Sequence, residues 1–376
     1  MSTALRVALA TGLLALGSQA LAAQAEWHIA EPDYAWSFPR DHWAHRGYKT
    51  EWWYVTGIVA DTAMPTRQFG YQFTVFRVGL VPDTLPLQSA WATDALIMGH
   101  ASVSDLSNGR HVFSEVLFRP NGLLGGFGAP GDSLIAWSQG PYGTRGRWTL
   151  HWNGEAFDFA MRDDRQGVAF SFTTTPTKPL VFQGPNGFSR KGDNPTAASL
   201  YYSFTRLATE GTISIGEDTF GVSGESWMDK EFGSNQLGED QVGWDWFSLR
   251  LDDGRDLMLY VLRSEDGTAY GRGTLVMPDG TARYLDSSTW SLDATDRWRS
   301  DGTGAEYPLR WELGVPQLGL EVTIAPLLED QENVTALVPD LFYWEGAVEV
   351  LSGDGERIGE GYVELTGYGT RSRPAI

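Results

Sequence analysis

The chain has 376 residues, contains no cysteine, and carries a formal net charge of −20 because 48 acidic residues outnumber 28 basic ones. This charge argues against a nucleic-acid partner, since phosphate binding needs clustered lysine and arginine. The absence of cysteine excludes disulfides, thiol nucleophiles and cysteine-ligated zinc, and 16 Trp, 18 Phe and 14 Tyr exclude a disordered acidic chain.

The first 25 residues are typical of a secretory signal. Arg6 is the only charge before Glu26, an apolar stretch covers residues 7–16, and small residues at Ala22 and Ala25 fit a cleavage site. We therefore predict export, into the periplasm of a Gram-negative cell. No later segment of the sequence has the 18 or so apolar residues of a spanning helix, so we expect no transmembrane segment in the mature chain.

After residue 25 the sequence alternates apolar and polar residues with a period of two, as β-strands do. Asn-Gly and Asp-Gly pairs, which favour hairpin turns, separate the alternating segments. The predicted strands are 53–60, 69–77, 147–152, 168–173, 246–251, 257–262, 320–324 and 362–366. These segments predict an all-β protein built from hairpins.

Two distant segments repeat the same order of features. Residues 51–77 and 243–263 each contain a Trp-rich opening, a strand, a turn, a second strand and a final arginine. Their spacing of about 190 residues is too long for a solenoid or a propeller blade. It fits two tandem β-barrels, whose closure removes exposed strand edges. We place the boundary in the loop-rich stretch 176–195 and predict domains over residues 26–190 and 191–376.

Three histidines, His42, His45 and His100, are the first candidates for chemistry. Together with Asp41 or Glu51 they could form a zinc or iron site. Nothing in the sequence caps a helix that would bring His42 and His45 together, and we predict no metal. The alternatives are hydrogen-bonded structural histidines, or a histidine at the wall of a pocket that acts as an acid or a base.

Carboxylates beside tryptophan form the second group of candidates. On one strand Glu225, Trp227, Asp229 and Glu231 would share a face. A tryptophan wall disfavours the ionised carboxylate and therefore raises its pKa, as a catalytic acid needs. The alternative is a row of solvated carboxylates with tryptophan on the core face.

A third cluster, near the C-terminus, again places tryptophan beside glutamate, at Trp344 and Glu345. Paired strands that close a barrel explain this cluster without any chemistry. The sequence contains no G-x-S-x-G motif, phosphate-binding loop or H-E-x-x-H motif, so no nucleophile supports a hydrolase.

Taken together, these segments resemble the AttH family of secreted lipocalin-like proteins, which is related to the carotenoid 1,2-hydratases. The resemblance covers nearly all of the mature chain. It is carried by residues 38–42 with His45, 51–57, 69–74, 99–101, 227–231, 243–246, 344–346 and 361–368. It implies two tandem lipocalin-like (calycin) β-barrels packed against each other, with an apolar ligand in their mouths or at their interface.

The related hydratases add water to a terminal double bond of an acyclic carotenoid. This reaction needs an acid, aromatic faces that stabilise a cation, and a base that orients water. The resemblance therefore implies a hydratase or lyase acting on an isoprenoid or other lipid, without a cofactor. The candidate catalytic residues are Asp229, Glu231, Asp245 and His45. The candidate ligand-binding residues are Trp52, Trp53, Tyr54, His100, Trp227, Trp244, Trp246, Tyr260, Trp344 and Glu345. The alternative is a non-enzymatic periplasmic carrier of a lipophilic ligand, linked to an envelope ABC transporter.

Overall fold

The computed structural model describes residues 26–82, 89, 91–238 and 240–369. The predicted signal segment lies outside these residues. The described chain is almost entirely β, which confirms the predicted fold class, and every predicted strand lies within an observed one. Its helical segments are 3-10 turns at Arg40–His42, Pro185–Gly187, Ser287–Thr289 and Pro316–Leu318. None of the helices in the described residues could cross a membrane.

The strands form two antiparallel sheets. The first contains β1 (Thr50–Asp61), β2 (Gln68–Gly79), β3 (Ala95–Asp105), β4 (Arg110–Phe118), β5 (Gly125–Phe127), β6 (Leu134–Gln139), β7 (Arg147–Trp152), β8 (Phe157–Asp163), β9 (Val168–Pro176), β10 (Val181–Phe182), β11 (Phe188–Arg190), β12 (Ala198–Ile215) and β13 (Asp218–Asn235). The second contains β14 (Gln241–Leu251), β15 (Asp256–Ser264), β16 (Ala269–Val276), β17 (Ala282–Asp286), β18 (Ser291–Arg299), β19 (Glu306–Val315), β20 (Leu320–Pro326), β21 (Glu332–Val334), β22 (Phe342–Ser352) and β23 (Arg357–Thr366).

Each sheet curls around its own apolar core. In the first sheet the order is β4-β3-β2-β1-β13-β12-β9-β8-β7-β6-β5, with β10 and β11 paired to β12. In the second it is β17-β16-β15-β14-β23-β22-β20-β19-β18, with β21 paired to β22. The chain thus changes sheet between Asn235 and Gln241. The division into domains at residues 190 and 191 stays a prediction, but β12 and β13 pair with the first sheet.

A third apolar cluster lies between the two sheets. It includes Tyr54 of β1, Trp227 of β13, Trp246 of β14 and Tyr260 of β15, all buried. Strands β1, β2 and β12 of the first sheet contact β23, β22 and β14 of the second. Because side chains of a strand alternate between its faces, each of these strands packs one face on its own core and the other on the facing sheet.

A buried ion cluster also joins the two sheets. The carboxylate of Asp256, at the start of β15, accepts hydrogen bonds from Lys178 at 2.6 Å, Thr205 at 2.8 Å and Arg206 Nε at 2.7 Å. All three donors belong to the half of the chain that forms the first sheet, and Asp256 is fully buried. Breaking a buried, hydrogen-bonded pair leaves uncompensated charge, which strongly destabilises a protein.

We expect Asp256→Asn to lower the free energy of unfolding by about 3 kcal/mol, because two cations lose their buried counterion. Urea unfolding followed by tryptophan fluorescence measures the loss. Asp253→Asn is the matched control, since Asp253 is 51% exposed and pairs with Arg255 at the surface. The control should cost less than about 1 kcal/mol. Equal losses in the two variants would contradict the role of the cluster.

Candidate active site

A cavity of about 160 Å³ lies between the two sheets. Alternate residues of the facing strands form its walls: Trp52 and Tyr54 from β1, and Trp244 and Trp246 from β14. The rings of Tyr54 and Trp246 meet edge to face, with centroids 5.1 Å apart. The two Trp-rich segments that repeat in the sequence therefore face each other across one cavity.

The cavity is elongated across the strands. On the side of the first sheet it is lined by side chains from β3 through β2, β1 and β13 to β12, a span of roughly 19 Å at normal strand spacing. Side chains from β22, β23, β14 and β15 line the opposite wall. In strand order the linings include His100, Phe76, Tyr54, Asp229 and Tyr201 on one side and Tyr343, Glu364, Trp246 and Tyr260 on the other.

Asp229 lies within this span, on β13, one strand from its β12 end. Its carboxylate accepts hydrogen bonds from the hydroxyl of Tyr201 at 2.6 Å, from Nε1 of Trp227 at 2.7 Å and from the hydroxyl of Ser203. Burial raises the pKa of Asp229, the three donors oppose the rise, and the resulting pKa is about 7. All three of these hydrogen-bond donors are neutral. At a pKa of about 7 the protonated and the ionised forms of the Asp229 carboxyl are both populated at neutral pH.

Glu364 of β23 and Glu345 of β22 lie directly opposite each other on the second sheet. Burial raises the pKa of Glu364 to about 7, and the charges of Asp229 and Glu231 add to the rise. Burial also raises the pKa of Glu345 well above its usual range, with a further contribution from Glu364. The hydroxyl of Tyr54 opposes this rise. Glu364, in the wall of the cavity, is therefore partly protonated at neutral pH, and Glu345 beside it is protonated.

His100 marks one end of the cavity. Its Nδ1 forms a hydrogen bond of 2.7 Å with the hydroxyl of Tyr343, which also accepts from Nε2 of Gln72 at 3.3 Å. Burial lowers the pKa of His100 to about 3, so the imidazole is neutral near pH 7. Nε2 of His100 is buried and has no hydrogen-bond partner in the described part of the chain. Such unpaired buried atoms are rare in folded proteins.

The opposite end contains an ion pair. Nζ of Lys191 lies 2.7 Å from Oε1 of Glu231. The hydroxyl of Ser199 also donates to Glu231. Lys191, Glu231 and Tyr260 all line the cavity. The cavity therefore has polar groups at both ends and aromatic walls between them.

A second network connects the cavity to the N-terminal segment. Glu51 lines the cavity and is 2.6 Å from Nδ1 of His45, and it accepts a hydrogen bond from Lys230. Burial alone would raise the pKa of Glu51, but Lys230 and His45 lower it to about 2. His45 stacks on Phe232 at 3.7 Å, and its Nε2 lies 3.4 Å from Asp41. Glu51 is therefore ionised, in contrast to Asp229 and Glu364.

The cavity brings together most of the residues predicted from the sequence. Eight of them line it: Trp52, Tyr54, His100, Asp229, Glu231, Trp244, Trp246 and Tyr260. Two more lie beside it, since Trp227 donates to Asp229 and Glu345 pairs with Glu364. Asp229, Glu231 and Trp227 do share one face of a strand, as their spacing predicts.

Four predicted residues lie elsewhere. His45 is not among the lining residues and contacts Glu51, which is. Trp53 and Trp344 fill the cores of the first and second sheets. Asp245 lies on the face of β14 opposite Trp244 and Trp246, because neighbours on a strand point to opposite sides. It accepts from Tyr368 at 2.8 Å and lies 3.3 Å from Arg263.

Several lining residues were not predicted. Glu364 and Tyr343 belong to C-terminal strands whose patterning was attributed to barrel closure, although Glu364 shares a face with two other polar residues, Tyr362 and Thr366. Lys191 reaches the cavity from the loop before β12, and Tyr201 reaches it from β12 itself. No local sequence pattern distinguishes either residue. Such residues are found only when the packing of the two sheets is known.

The three histidines considered for a metal site lie in different surroundings. His42 forms a hydrogen bond of 2.7 Å with Tyr202 beside the first core, His45 contacts Glu51, and His100 lines the cavity. In residues 26–82, 89, 91–238 and 240–369, no group of three or more histidine or carboxylate side chains is arranged to hold a metal ion.

Comparison with known proteins identifies relatives of the whole chain. Residues 29–368 match the AttH-like family. The structure of an AttH protein from Nitrosomonas europaea has 31% sequence identity and a TM-score of 0.78, and the match covers 91% of this chain and 99% of that one. Kievitone hydratase from Nectria haematococca has the same fold at 13% identity, with a TM-score of 0.64 and coverage of 91% and 96%.

A curated relative matches over a shorter segment. Dehydratase asqC of Emericella nidulans is 23% identical over 182 residues, which make up 46% of this chain and 50% of the dehydratase. The matched segment thus spans about half the length of that relative. The family match and the Nitrosomonas structure, in contrast, extend over nearly all described residues, and we conclude that the chain belongs to the AttH-like family.

Proposed function

We propose that this protein is a hydratase or dehydratase that adds water to, or removes it from, an apolar molecule held between the two sheets. The observation that carries the proposal is a pair of buried carboxyls, Asp229 and Glu364, with pKa values of about 7 in one aromatic-walled cavity. The names of two relatives, a dehydratase and a hydratase, support the same chemistry. From residues 1–25 we also propose that the protein acts after export.

The carboxyl pair can supply both the acid and the base. The two groups interact, so near pH 7 the predominant state of the pair carries one proton. In hydration the protonated carboxyl gives its hydrogen to one alkene carbon, and the oxygen of water adds to the other carbon. The ionised carboxyl accepts the remaining proton of that water. The product gains one H and one OH, and the reverse sequence removes them.

Other residues of the cavity assist these steps. The ring faces of Trp52, Trp244 and Trp246 can stabilise positive charge that develops on carbon. Neutral His100 presents Nε2, which can bind and orient the reacting water. Apolar walls exclude bulk water and so limit competing reactions.

The protonation of Asp229 can be tested without a substrate. Its pKa of about 7 lies above the ordinary value of 3.8, so between these pH values the folded protein holds a proton that the unfolded chain has lost. The contribution of Asp229 to stability therefore falls as pH rises from 5 to 8. We expect the free energy of unfolding of Asp229→Asn, relative to wild type, to increase over this range by a few kcal/mol, at about 1.4 kcal/mol per pKa unit.

Urea unfolding at several pH values measures this difference. Asp253→Asn is the control, because Asp253 is half-exposed and its pKa is held below its ordinary value by Arg255. Its difference from wild type should stay constant between pH 5 and 8. A constant difference for Asp229→Asn as well would show that Asp229 is already ionised at pH 5.

The catalytic role of the pair is tested by substitution. We expect Asp229→Asn and Glu364→Gln each to lower turnover by about 10²–10⁴-fold, since each removes an acid–base group. The assay incubates acyclic isoprenoids and aryl alkenes in ¹⁸O-labelled water and measures labelled alcohols by mass spectrometry. Asp245→Asn is the control, because this acid is equally buried but faces away from the cavity. Activity that survives in both variants would contradict the proposal, and binding without turnover in the wild type would favour a carrier.

The pH dependence follows from the same pair. One carboxyl must be protonated and the other ionised, so kcat/KM should peak near pH 7 and fall on both sides. In each single variant, kcat/KM should fall on only one side of pH 7, because only one of the two carboxyls still titrates. Initial rates between pH 5 and 9 measure it, and a flat wild-type profile would rule out the pair as acid and base.

A further inference from the structure

We infer that the molecule bound in this cavity carries a neutral carbonyl or phenol oxygen near one end, and that the ammonium of Lys191 donates a hydrogen bond to it. The inference rests on the proposed function of the cavity and specifies its substrate class. It narrows the isoprenoid or other lipid that the family resemblance implies, because a pure hydrocarbon offers nothing for Lys191 to contact.

The backbone of Lys191 is held in place on both sides. Its N–H donates to the carbonyl of Ala197 at 2.7 Å, and its carbonyl accepts from Nε2 of Gln241 at 2.7 Å. Gln241 is the first residue of β14, so this contact fixes Lys191 relative to the second sheet. The side chain is only 9% exposed and points into the cavity between the sheets. Its ammonium is therefore a positioned group, not a mobile surface charge.

The ammonium has a hydrogen left to donate. Nζ of Lys191 lies 2.7 Å from Glu231 and donates to the hydroxyl of Ser189 at 3.2 Å. An ammonium has three N–H groups, and among the described residues these contacts use two of them. The rings of Tyr260 and Tyr201 flank Nζ at 4.6 and 5.2 Å. The third N–H is available to an acceptor in the cavity.

Stability alone does not account for this lysine. Desolvation of two charges roughly offsets their attraction, so a buried ion pair contributes little to folding compared with apolar residues of the same volume. Lys191 lines a cavity and has one N–H without an acceptor in the described chain, and a hydrogen bond to a bound ligand accounts for both features.

The charges around Lys191 determine which oxygen fits. Glu231 already neutralises the ammonium, and Asp229 and Glu364 line the same cavity. An anionic ligand would meet these carboxyls, and like charges in a buried site repel each other strongly. A neutral acceptor, either a carbonyl or a phenol oxygen, gains the hydrogen bond without that repulsion.

The geometry also relates the oxygen to the proposed chemistry. Asp229 and Glu231 are two residues apart on β13, so they share a face and lie about 7 Å apart along the strand. A molecule whose oxygen contacts Lys191 would extend past Asp229 and along the edge-to-face pair of Tyr54 and Trp246. An aryl enone has this shape, with the oxygen a few bonds from the alkene.

Chalcone and 1,3-diphenylpropene are the matched probes, because they differ only in a carbonyl in place of a methylene. Quenching of tryptophan fluorescence gives Kd for each, and the protein has no cysteine that could react with the enone. We expect wild type to bind chalcone at least about tenfold more tightly, as expected for one good hydrogen bond. In the double variant Lys191→Met/Glu231→Gln, which removes both charges of the pair, the preference should disappear.

Lys178→Met is the control, since Lys178 is a buried, ion-paired lysine at Asp256, away from the cavity. Circular dichroism checks that both proteins are folded, and Lys191→Gln is the substitute if the double variant is not. Equal affinities of the wild type for the two probes, or a preference that survives in the double variant, would overturn the contact with Lys191. Failure of both probes to bind would instead contradict the apolar cavity on which the proposed function rests.

Discussion

The alternation of side chains along strands that are covered on both faces is the constraint on which this structure depends. Strands β1, β13, β14 and β23 each pack one set of side chains on the core of their own sheet and the other set on the facing sheet. In the middle of β1 and β14 a single position therefore decides between core and cavity. Trp52 and Tyr54 reach the cavity while Trp53 does not, and Trp244 and Trp246 reach it while Asp245 does not.

The same constraint separates two kinds of buried carboxylate. Glu51 receives Lys230 from the opposite face of β13, and this cation, helped by His45, holds its pKa at about 2. Asp229, one residue from Lys230, receives only neutral donors and keeps a pKa of about 7. Adjacent residues on one strand thus provide a counterion for Glu51 on one side and a titrating acid on the other. Burial without a cation raises the pKa, and burial beside a cation lowers it.

Much of the fold could be predicted from the sequence because β-strands and hairpin turns leave local patterns. The all-β class and all the predicted strands were correct. Of the site, the shared face of Asp229 and Glu231 was predictable from their spacing on one strand. Glu364, Tyr343 and Lys191 were not, because they reach the cavity through the packing of one sheet on the other, which a local pattern does not encode. Asp245 and Trp53 were predicted at the site but lie outside it, because neighbours on a strand point to opposite faces.

The central claim is that the ligand binds between the two sheets and not inside either one. A crystal structure of the protein with chalcone tests it most directly. A ligand bound as proposed gives density beside Asp229 and against the rings of Tyr54 and Trp246. Density within the first core near Trp148, within the second core near Trp311, or only on the outer surface would contradict it.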